Sequence, residues 1–133
     1  MPQQFTYSFT EPINPEVLQQ LLKQTDWADT RKPLDLQQML DNSQLTLGVW
    51  HDDKLIGFAR VVTDDIYRAW IEDVIVHKDF RKMGIGSHMI EKLLKRLEHV
   101  EDISLICNHD LEPFYEKKGF KSKSIAYMHV RQS

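Results

Sequence analysis

The feature that most constrains this chain is the segment 74–87, where an apolar run leads into a basic turn, a Gly-x-Gly pair and a long amphipathic stretch. This order predicts a buried strand, a tight turn and a helix that begins at Gly84. The first turn of a helix has unpaired backbone N–H groups and a partial positive charge. Glycines at positions 84 and 86 leave those N–H groups open to an anion. Further donors lie beside them: Arg81, Lys82 and Ser87. The sequence therefore predicts a pyrophosphate-binding turn.

Two common phosphate-binding motifs do not fit this turn. A P-loop requires a Lys-Ser/Thr pair directly after its second glycine, whereas Gly86 is followed by Ser87 alone. A Rossmann fingerprint requires a third glycine, where this chain has Met89, and an acidic residue about 20 positions further on. Glu101 and Asp102 lie near that distance, but they do not identify such a site without the glycine.

Composition limits the class of protein. A chain of 133 residues and 15.7 kDa is expected to form one domain, residues 1–133. A net charge of -3 and a pI near 6.0 argue against a nucleic-acid partner. The single cysteine, Cys107, excludes an internal disulfide, and a strand cysteine is more often a small apolar residue than a nucleophile. The histidines form no helical i,i+4 pair, so no metal site is expected.

The location expected from the sequence is the cytoplasm. No apolar run approaches the ~20 residues of a membrane span, and the N-terminus lacks the pattern of a signal peptide. We therefore expect no membrane partner.

Hydrophobic periodicity predicts an α/β fold with a mixed sheet. The expected strands are residues 5–9, 45–50, 55–63, 69–76 and 103–107, the last parallel to the one before it, and one or two strands within 120–130. The expected helices begin at Pro15 with Asn14 as N-cap, at Asp35 as the cap of a helix through Leu40, at Gly84 through about Val100, and at Pro113 with Gly119 as its end. Glu91 and Lys95 are expected to pair on the third helix.

The arrangement Arg81-x-x-Gly84-x-Gly86 after a valine-rich strand resembles the acetyl-coenzyme A signature of the GNAT superfamily of N-acetyltransferases. A second match lies downstream, where Phe-Tyr-Glu-Lys-Lys-Gly-Phe at 114–120 resembles that superfamily's second motif. The resemblance covers essentially the whole chain. It implies a mixed, mostly antiparallel central sheet with a splayed parallel strand pair, flanked by about four helices.

The resemblance implies that acetyl-coenzyme A (acetyl-CoA) binds at this turn and leaves as coenzyme A. The main chain of the strand at 74–76 would pair with the pantetheine arm, and the turn would hold the pyrophosphate. For Asn108 an ordinary loop role is the alternative. The cofactor-binding residues expected are Val74, Ile75, Val76, Arg81, Lys82, Met83, Gly84, Ile85, Gly86, Ser87, Asn108, Tyr115 and Lys117.

Transfer of an acetyl group from a thioester to an amine needs a proton acceptor for the amine and a proton donor for the leaving thiolate. Tyr115 is the candidate donor, because a phenol with a pKa of ~10 stays protonated at neutral pH. The tyrosine at this motif position often has this role in the family. The alternative is that Tyr115 is a core aromatic residue.

Glu72 and Asp73 are the candidate base or relay and the candidate substrate contact, because acids in a buried strand are costly unless they are functional or paired. Strand alternation predicts that they lie on opposite faces. The run 72–76 is similar to a strand of glucosamine-phosphate N-acetyltransferases, where such acids help to position the amine. The alternative is a salt bridge to one of three basic residues: Arg60, Arg68 or Lys54.

The residues expected over the acceptor are Trp27, Arg31 and Tyr67, together with Asp73. Trp27 could stack on an aromatic amine and Arg31 could bind a carboxylate or phosphate, or both could anchor their loop. The expected function is an acetyl-CoA-dependent N-acetyltransferase, an acyltransferase that modifies a primary amine of a small molecule by direct attack in a ternary complex. The alternatives are acetylation of a protein or peptide amine, and a catalytically silent coenzyme A-binding regulatory module. A homodimer that pairs through the C-terminal strands is the expected assembly, if there is one.

Overall fold

The computed structural model describes residues 4–132, and its centre is one five-stranded sheet with the order β1-β2-β3-β4-β5. The strands are β1 (Thr6–Ser8), β2 (Leu45–His51), β3 (Lys54–Thr63), β4 (Arg68–Val76) and β5 (Asp102–Ser104). The first four pair antiparallel, whereas β5 is parallel to β4. The predicted mixed, mostly antiparallel sheet is therefore confirmed.

Helices cover both faces of this sheet. They are α1 (Pro15–Leu22), α2 (Pro33–Asn42), α3 (Ile85–Arg96) and α4 (Glu112–Glu116). Two short 3-10 turns, Lys78–Phe80 and His109–Leu111, precede α3 and α4. The side chain of Asn14 accepts hydrogen bonds from two backbone N–H groups of α1, so the predicted N-cap is confirmed.

The core has two apolar layers, one on each side of the sheet. One layer joins α1 and α2 to the sheet through Leu18, Leu22, Leu36 and Phe58. The other layer joins α3 to the opposite face through Val61, Met89, Ile90 and Leu93. The turn before α3 is therefore followed by a helix that is packed firmly against the sheet.

Three predicted helix boundaries differ from the structure. The helix α2 begins at Pro33 rather than after Asp35, because the proline occupies the first turn and Lys32 is the N-cap. The helix α3 ends at Arg96, and its apolar pattern continues to Val100 because Leu97 and Val100 of the following turn are also buried. The helix α4 begins at Glu112, one residue before its proline.

The ion pair predicted within α3 is replaced by a link between helices. Glu91 pairs with Lys118 at 2.7 Å, rather than with Lys95. The link ties α3 to the chain that follows α4.

The parallel strand β5 is shorter than predicted. It pairs with β4 at three positions, Arg68 with Asp102, Ala69 with Ile103 and Trp70 with Ser104. Beyond Trp70 the two strands separate, so the second half of β4 borders an open cleft. This is the splayed parallel pair that the sequence predicted.

The strands predicted within 120–130 do not form. All of residues 121–132 are exposed and none lies in a helix or strand. A strand needs a hydrogen-bonding partner, and no strand among residues 4–132 pairs with this segment. We call residues 123–132 the C-terminal arm.

Candidate active site

A β-bulge in β4 shapes the site. Phe58 pairs with Ile75 and Arg60 pairs with Glu72, so two residues of β4 lie opposite one residue of β3. The bulged residue is Asp73, whose φ of 56° is in the left-handed region. Such an extra residue reverses the alternation of side chains along the strand. Ile71 accordingly packs on the α3 side, and Ile75 packs on the side of α1 and α2.

Two arginines hold Asp73. The guanidinium of Arg60 donates to its carboxylate at 2.6 Å and that of Arg31 donates at 2.9 Å. Burial by itself would raise the pKa of Asp73, but the hydrogen bonds from Arg31 and Arg60 and their charges outweigh it and lower the pKa. The salt bridge to Arg60 considered from the sequence is present. Asp73 and Arg31, both expected to contact substrate, are paired with each other, and the substrate contact stays a prediction.

Glu72 lies on the same face as Asp73, contrary to the alternation prediction. It stands opposite Arg60, and residues directly opposite each other in a sheet project to the same face. Among residues 4–132 its carboxylate has no salt-bridge partner. Burial, and then the charge of Asp73, raise the pKa of Glu72. A partly buried carboxylate of this kind can accept a proton.

The cleft beside β4 presents backbone groups. The N–H of His77 donates to the carbonyl of Ile56 in β3 at 2.7 Å. Because backbone groups alternate in direction along a strand, those of Val76 and Val74 point away from β3 and into the cleft. The side chain of Arg81 donates to the carbonyl of Val76 at 3.1 Å, which agrees with this direction.

Asn108 lies four residues after the end of β5, directly before the 3-10 turn His109–Leu111. Its side chain makes no cap for the following turn. The predicted placement of Asn108 near a cofactor is thus compatible with the fold.

The turn before α3 fits a pyrophosphate. Lys82 and Gly84 have φ values of 65° and 81°, and such left-handed residues gather backbone N–H groups into a concave anion site. No side chain caps α3 at Gly84, so its first N–H groups stay available. A Cβ added at Gly84 would project into open space, where an anion would lie. Near Gly86 the nearest side chain is Phe114, at 3.8 Å from such a Cβ.

A lysine links this turn to α4. The ammonium of Lys118 donates to the hydroxyl of Ser87 and, at 2.7 Å, to the carboxylate of Glu91. Lys117, the lysine expected at the cofactor, is exposed. The sequence motif predicted that Lys117 and Lys118 lie close to α4, but it did not show which of the two faces α3.

Tyr115 is buried at the inner end of α4, in edge-to-face contact with Phe114 and Phe120. Burial, and then the nearby thiol of Cys107, raise the pKa of Tyr115 to about 12. The hydroxyl has no hydrogen-bond partner within the described part of the chain. Tyr115 is therefore a buried core aromatic, as the alternative held, and its raised pKa keeps the hydroxyl protonated at neutral pH; the donor role stays a prediction.

An open groove with a volume of about 680 Å³ lies beside the end of β4. Its walls are residues 24–27 and 29 of the α1–α2 loop, residues 74–76 of β4, Arg81 and Leu111. The groove thus joins the expected cofactor strand and Arg81 to Trp27, which is half exposed. The side chain of Gln24 ties this loop to the 3-10 turn before α3, because its oxygen accepts a hydrogen bond from the N–H of Lys78 at 2.9 Å.

Other predicted site residues lie elsewhere. Tyr67 precedes the start of β4, about 20 Å from Asp73 at ~3.3 Å per residue. It is therefore not brought to the groove. Met83 is exposed at the turn, and Ile85 is buried beneath it. Sequence reasoning missed Asp26 and Asp29, because loop residues without a motif carry no signal of their position.

The comparisons with known proteins agree with this geometry. The family model described as Acetyltransferase (GNAT) family matches residues 14–120. The chain belongs to the GNAT acetyltransferase family.

Relatives of this GNAT chain bear related names. It is 33% identical over 126 residues to an uncharacterized ycf52-like N-acetyltransferase of Prochlorococcus marinus, with 88% of this chain and 69% of that one covered. A probable acetyltransferase from methicillin-resistant Staphylococcus aureus matches the structure with a TM-score of 0.84 at 22% identity, over 97% of this chain and 100% of that one. A predicted acetyltransferase from Clostridium acetobutylicum, solved with acetyl-CoA, matches with a TM-score of 0.75 at 14% identity, and 96% of each chain is covered.

The described residues of this GNAT domain give no support for a metal site or for a cysteine nucleophile. Residues 4–132 contain no group of three or more His, Cys, Asp and Glu side chains placed to bind a metal. Burial, and then the charges of Glu112 and Asp110, raise the pKa of Cys107, which disfavours its thiolate.

Within residues 4–132, no helix has the length and apolarity that crossing a membrane requires.

The ion pairs of Asp73 with Arg31 and Arg60 predict that the stability of the fold depends on pH. Asn tolerates the left-handed backbone, so Asp73→Asn should remove the charge and keep the bulge. We expect the free energy of unfolding to fall by about 3 kcal/mol at pH 7, because two arginines lose their partner. The folded-state pKa is lowered, so this stabilisation is present above the ordinary pKa of 3.8 and is lost as the pH falls through the folded value. Urea unfolding of both proteins at several pH values measures it. Asp53→Asn, in an exposed turn, is the matched control, and a deficit that persists in strong acid would contradict the charge argument.

Proposed function

We propose that this protein is an acetyl-CoA-dependent N-acetyltransferase that modifies the primary amine of a small molecule by direct attack within a ternary complex. The observation that carries the proposal is the cleft between β4 and β5, which leads to the uncapped start of α3. Backbone groups of Val74 and Val76 face this cleft, and we infer that Tyr115 and Glu72 act from its two sides. Family membership supports acetyl transfer, and the class of acceptor follows from the charges along the groove.

The cofactor would be held mainly by backbone groups. The N–H groups at 84–87, with Arg81, Lys82 and Ser87, would bind the pyrophosphate. The cleft-facing groups of Val74 and Val76 would pair with the amides of the pantetheine arm, as an added strand does. Asn108 would contact that arm from the opposite side. Bound there, acetyl-CoA supplies a thioester that carries the acetyl group.

Two residues of the chain would move protons. In the reaction the amine nitrogen forms a bond to the acetyl carbon and the carbon–sulfur bond breaks. A primary amine with a pKa near 10.4 is only about one thousandth neutral at pH 7.4, so Glu72 would accept its proton, directly or through water. Tyr115 would donate its hydroxyl hydrogen to the departing sulfur, and its raised pKa keeps it protonated at every working pH.

The acceptor side of the groove favours a cation. Arg31 is occupied by Asp73, which removes the cation expected to bind a carboxylate or phosphate. Asp26 and Asp29 remain beside Trp27, and all three are exposed. An amine that carries an aromatic ring or a second positive charge fits this wall. A lysine side chain has the same charge, so a protein or peptide amine is the second candidate. Location in the cytoplasm stays a prediction.

The deciding experiment is a calorimetric titration of the protein with acetyl-CoA, followed by a thiol-release assay with aryl, polyamine, sugar-phosphate and peptide amines. We expect micromolar binding and release of coenzyme A with a small cationic amine. Release with peptides alone would favour the second candidate. Binding without release above the hydrolysis background would identify a silent module, and no binding would overturn the proposal.

Gly84→Asp should abolish acetyl-CoA binding and leave the fold intact, because its carboxylate would point into the phosphate site. Gly119→Asp is the matched control, since Gly119 also has a positive φ, of 100°, and open space around a Cβ. Calorimetry measures both affinities. Equal loss in the two variants, or none in Gly84→Asp, would remove the assignment.

Tyr115→Phe should lower kcat by roughly 10²–10⁴-fold with little change in acetyl-CoA affinity, as expected for a proton donor. Because the pKa of Tyr115 is raised to about 12, wild-type kcat should show no alkaline loss from this group below pH 10. Tyr67→Phe serves as the control, at the far end of β4. Steady-state rates within a few-fold of wild type for Tyr115→Phe would mean that another donor protonates the sulfur.

In Glu72→Gln, kcat/KM should no longer fall as the pH decreases. A carboxylate base works above its pKa, and the pKa of Glu72 is raised above 4.5, so wild-type activity should fall as the pH drops through a value higher than 4.5. Glu98→Gln, on an exposed turn, should keep the wild-type limb. A limb that survives in Glu72→Gln would assign the base to another group.

A further inference from the structure

A buried histidine stands between β4 and residues 78–84, which lead to α3 and which we call the phosphate turn. His77 directly follows the last residue of β4, and its side chain is 10% exposed. A polar ring at such a position costs free energy unless its nitrogen atoms have partners. No step proposed for acetyl transfer uses this ring, so its burial points to another role.

The imidazole of His77 caps the 3-10 turn Lys78–Phe80. Its Nδ1 accepts a hydrogen bond from the N–H of Asp79 at 3.1 Å. The backbone of His77, with a φ of -53° and a ψ of 136°, is non-helical, as is usual for a capping residue. Because Nδ1 accepts here, the hydrogen of the neutral ring must be on Nε2. The cap therefore selects one tautomer and excludes the protonated ring.

His77 also sets the path of the chain out of β4 through its backbone. Its N–H donates to the carbonyl of Ile56 at 2.7 Å, and its carbonyl accepts from the N–H of Phe80 at 2.9 Å. The first of these hydrogen bonds joins the residue to β3. The second, together with the cap on Asp79, holds the first half of the phosphate turn. The histidine thus links the sheet to the chain that leads to Arg81, a residue proposed to bind the pyrophosphate.

Aromatic packing fixes the orientation of the ring. Phe80 meets the imidazole edge to face, with 5.6 Å between centroids and 81° between planes. Phe80 also contacts Phe5 and His51, at 6.1 Å and 5.3 Å between centroids. The ammonium of Lys54 lies 6.0 Å from the centroid of the same ring. Because the imidazole is enclosed in this cluster, Nδ1 stays directed at the turn.

The charged groups around His77 disfavour its protonated form. Lys54 from β3 is a cation, as are Lys78 and Arg81 from the following chain. The acid beside them is Asp79, whose carboxylate lies 3.9 Å from Nδ1 and is exposed. Burial, and then the charge of Lys54, lower the pKa of His77 from its ordinary 6.5, and Asp79 offsets part of this. The ring is therefore neutral at pH 7 and able to accept.

We infer that His77 is a positioning residue, whose neutral ring orders the phosphate turn in the conformation that binds the pyrophosphate. This role rests on the function proposed above. A turn that adopts its binding conformation for only a fraction of the time binds its ligand more weakly by that fraction. Protonation puts a hydrogen on Nδ1, directed at the N–H of Asp79, and the cap is then lost.

Acid has two opposite effects at this position. Loss of the cap loosens the phosphate turn and weakens binding, whereas the added positive charge of the ring attracts phosphates. We expect the cap to decide, because salt and solvent screen one more charge beside the cations already present. The sign of the pH dependence therefore tells the two effects apart.

Nitrogen-15 NMR of the histidine rings in the free protein tests the cap without any cofactor. At pH 7 we expect Nδ1 of His77 to be unprotonated and Nε2 to carry the hydrogen. As the pH falls below 6.5, the amide of Asp79 should shift in step with protonation of the ring. The opposite tautomer, or an Asp79 amide that does not respond to the ring, would overturn the inference.

Calorimetric titration with acetyl-CoA at pH 7.5 tests the effect on binding. His77→Leu removes the acceptor and keeps an apolar side chain in the cluster, so the dissociation constant should rise roughly 5-fold, as for the loss of a typical cap. His77→Asn, whose side-chain oxygen can accept the same hydrogen bond, should restore the affinity to within about 2-fold of wild type. His51→Asn is the control, since its ring lies in the same cluster and pairs with the carbonyl of Gln4 instead. Circular dichroism checks that each variant is folded.

Repeating the titration at about pH 5 separates the cap from the charge. The affinity of wild type relative to His77→Asn should fall between the two pH values, because only the histidine can lose its cap by protonation. This ratio cancels the titration of the cofactor's own phosphates. A ratio that stays constant or rises, or equal affinities of wild type and His77→Leu at pH 7.5, would overturn the role of His77 alone. A wild type that does not bind acetyl-CoA at all would overturn the proposed function and this role with it.

Discussion

The contact between Asp73 and two arginines is the interaction on which the rest of the site depends. A carboxylate in a sheet is costly to bury, and a left-handed residue in a strand is strained. Arg60 from the next strand and Arg31 from the α1–α2 loop offset both costs by fixing the side chain of the bulge. Because the bulge is held, the residues after it change faces. The arginine from the loop also fixes the acceptor wall relative to β4.

The opening between β4 and β5 follows from limited pairing at one end of the strands. Three residue pairs hold the parallel strands together, and the bulge lies just beyond the last of them. The backbone groups of Val74 and Val76 are then left for a ligand rather than for a strand. The uncapped helix α3 begins nine residues after the end of β4, and a 3-10 turn lies between the two elements. Lys118 links α3 to the helix that carries Tyr115.

The sequence predicted the elements whose cause is local. Asn14 before Pro15 indicates a helix start, and the glycines before α3 indicate a turn open to anions, since both depend on a few neighbouring residues. It failed where distant residues decide the outcome. Strand alternation placed Glu72 and Asp73 on opposite faces, and only the register with β3 reveals the bulge that brings them to one face. Likewise Tyr67 seemed close to the acceptor until strand lengths placed it at the wrong end. The segment 120–130 has the composition of a strand, but no strand among residues 4–132 pairs with it, and composition alone does not reveal that.

The ion pair between Arg31 and Asp73 separates two roles of the α1–α2 loop. Its anchoring groups, Arg31 and Gln24, point inward to the strand and to the phosphate turn, whereas Asp26, Trp27 and Asp29 point to solvent at the groove. Substitutions at the three outward positions alter the acceptor wall and leave its attachment untouched. Surface substitutions are in general nearly neutral for stability. If the loop contacts the acceptor as proposed, the acceptor could change by drift at these three positions while the residues proposed for the acetyl donor stay constant.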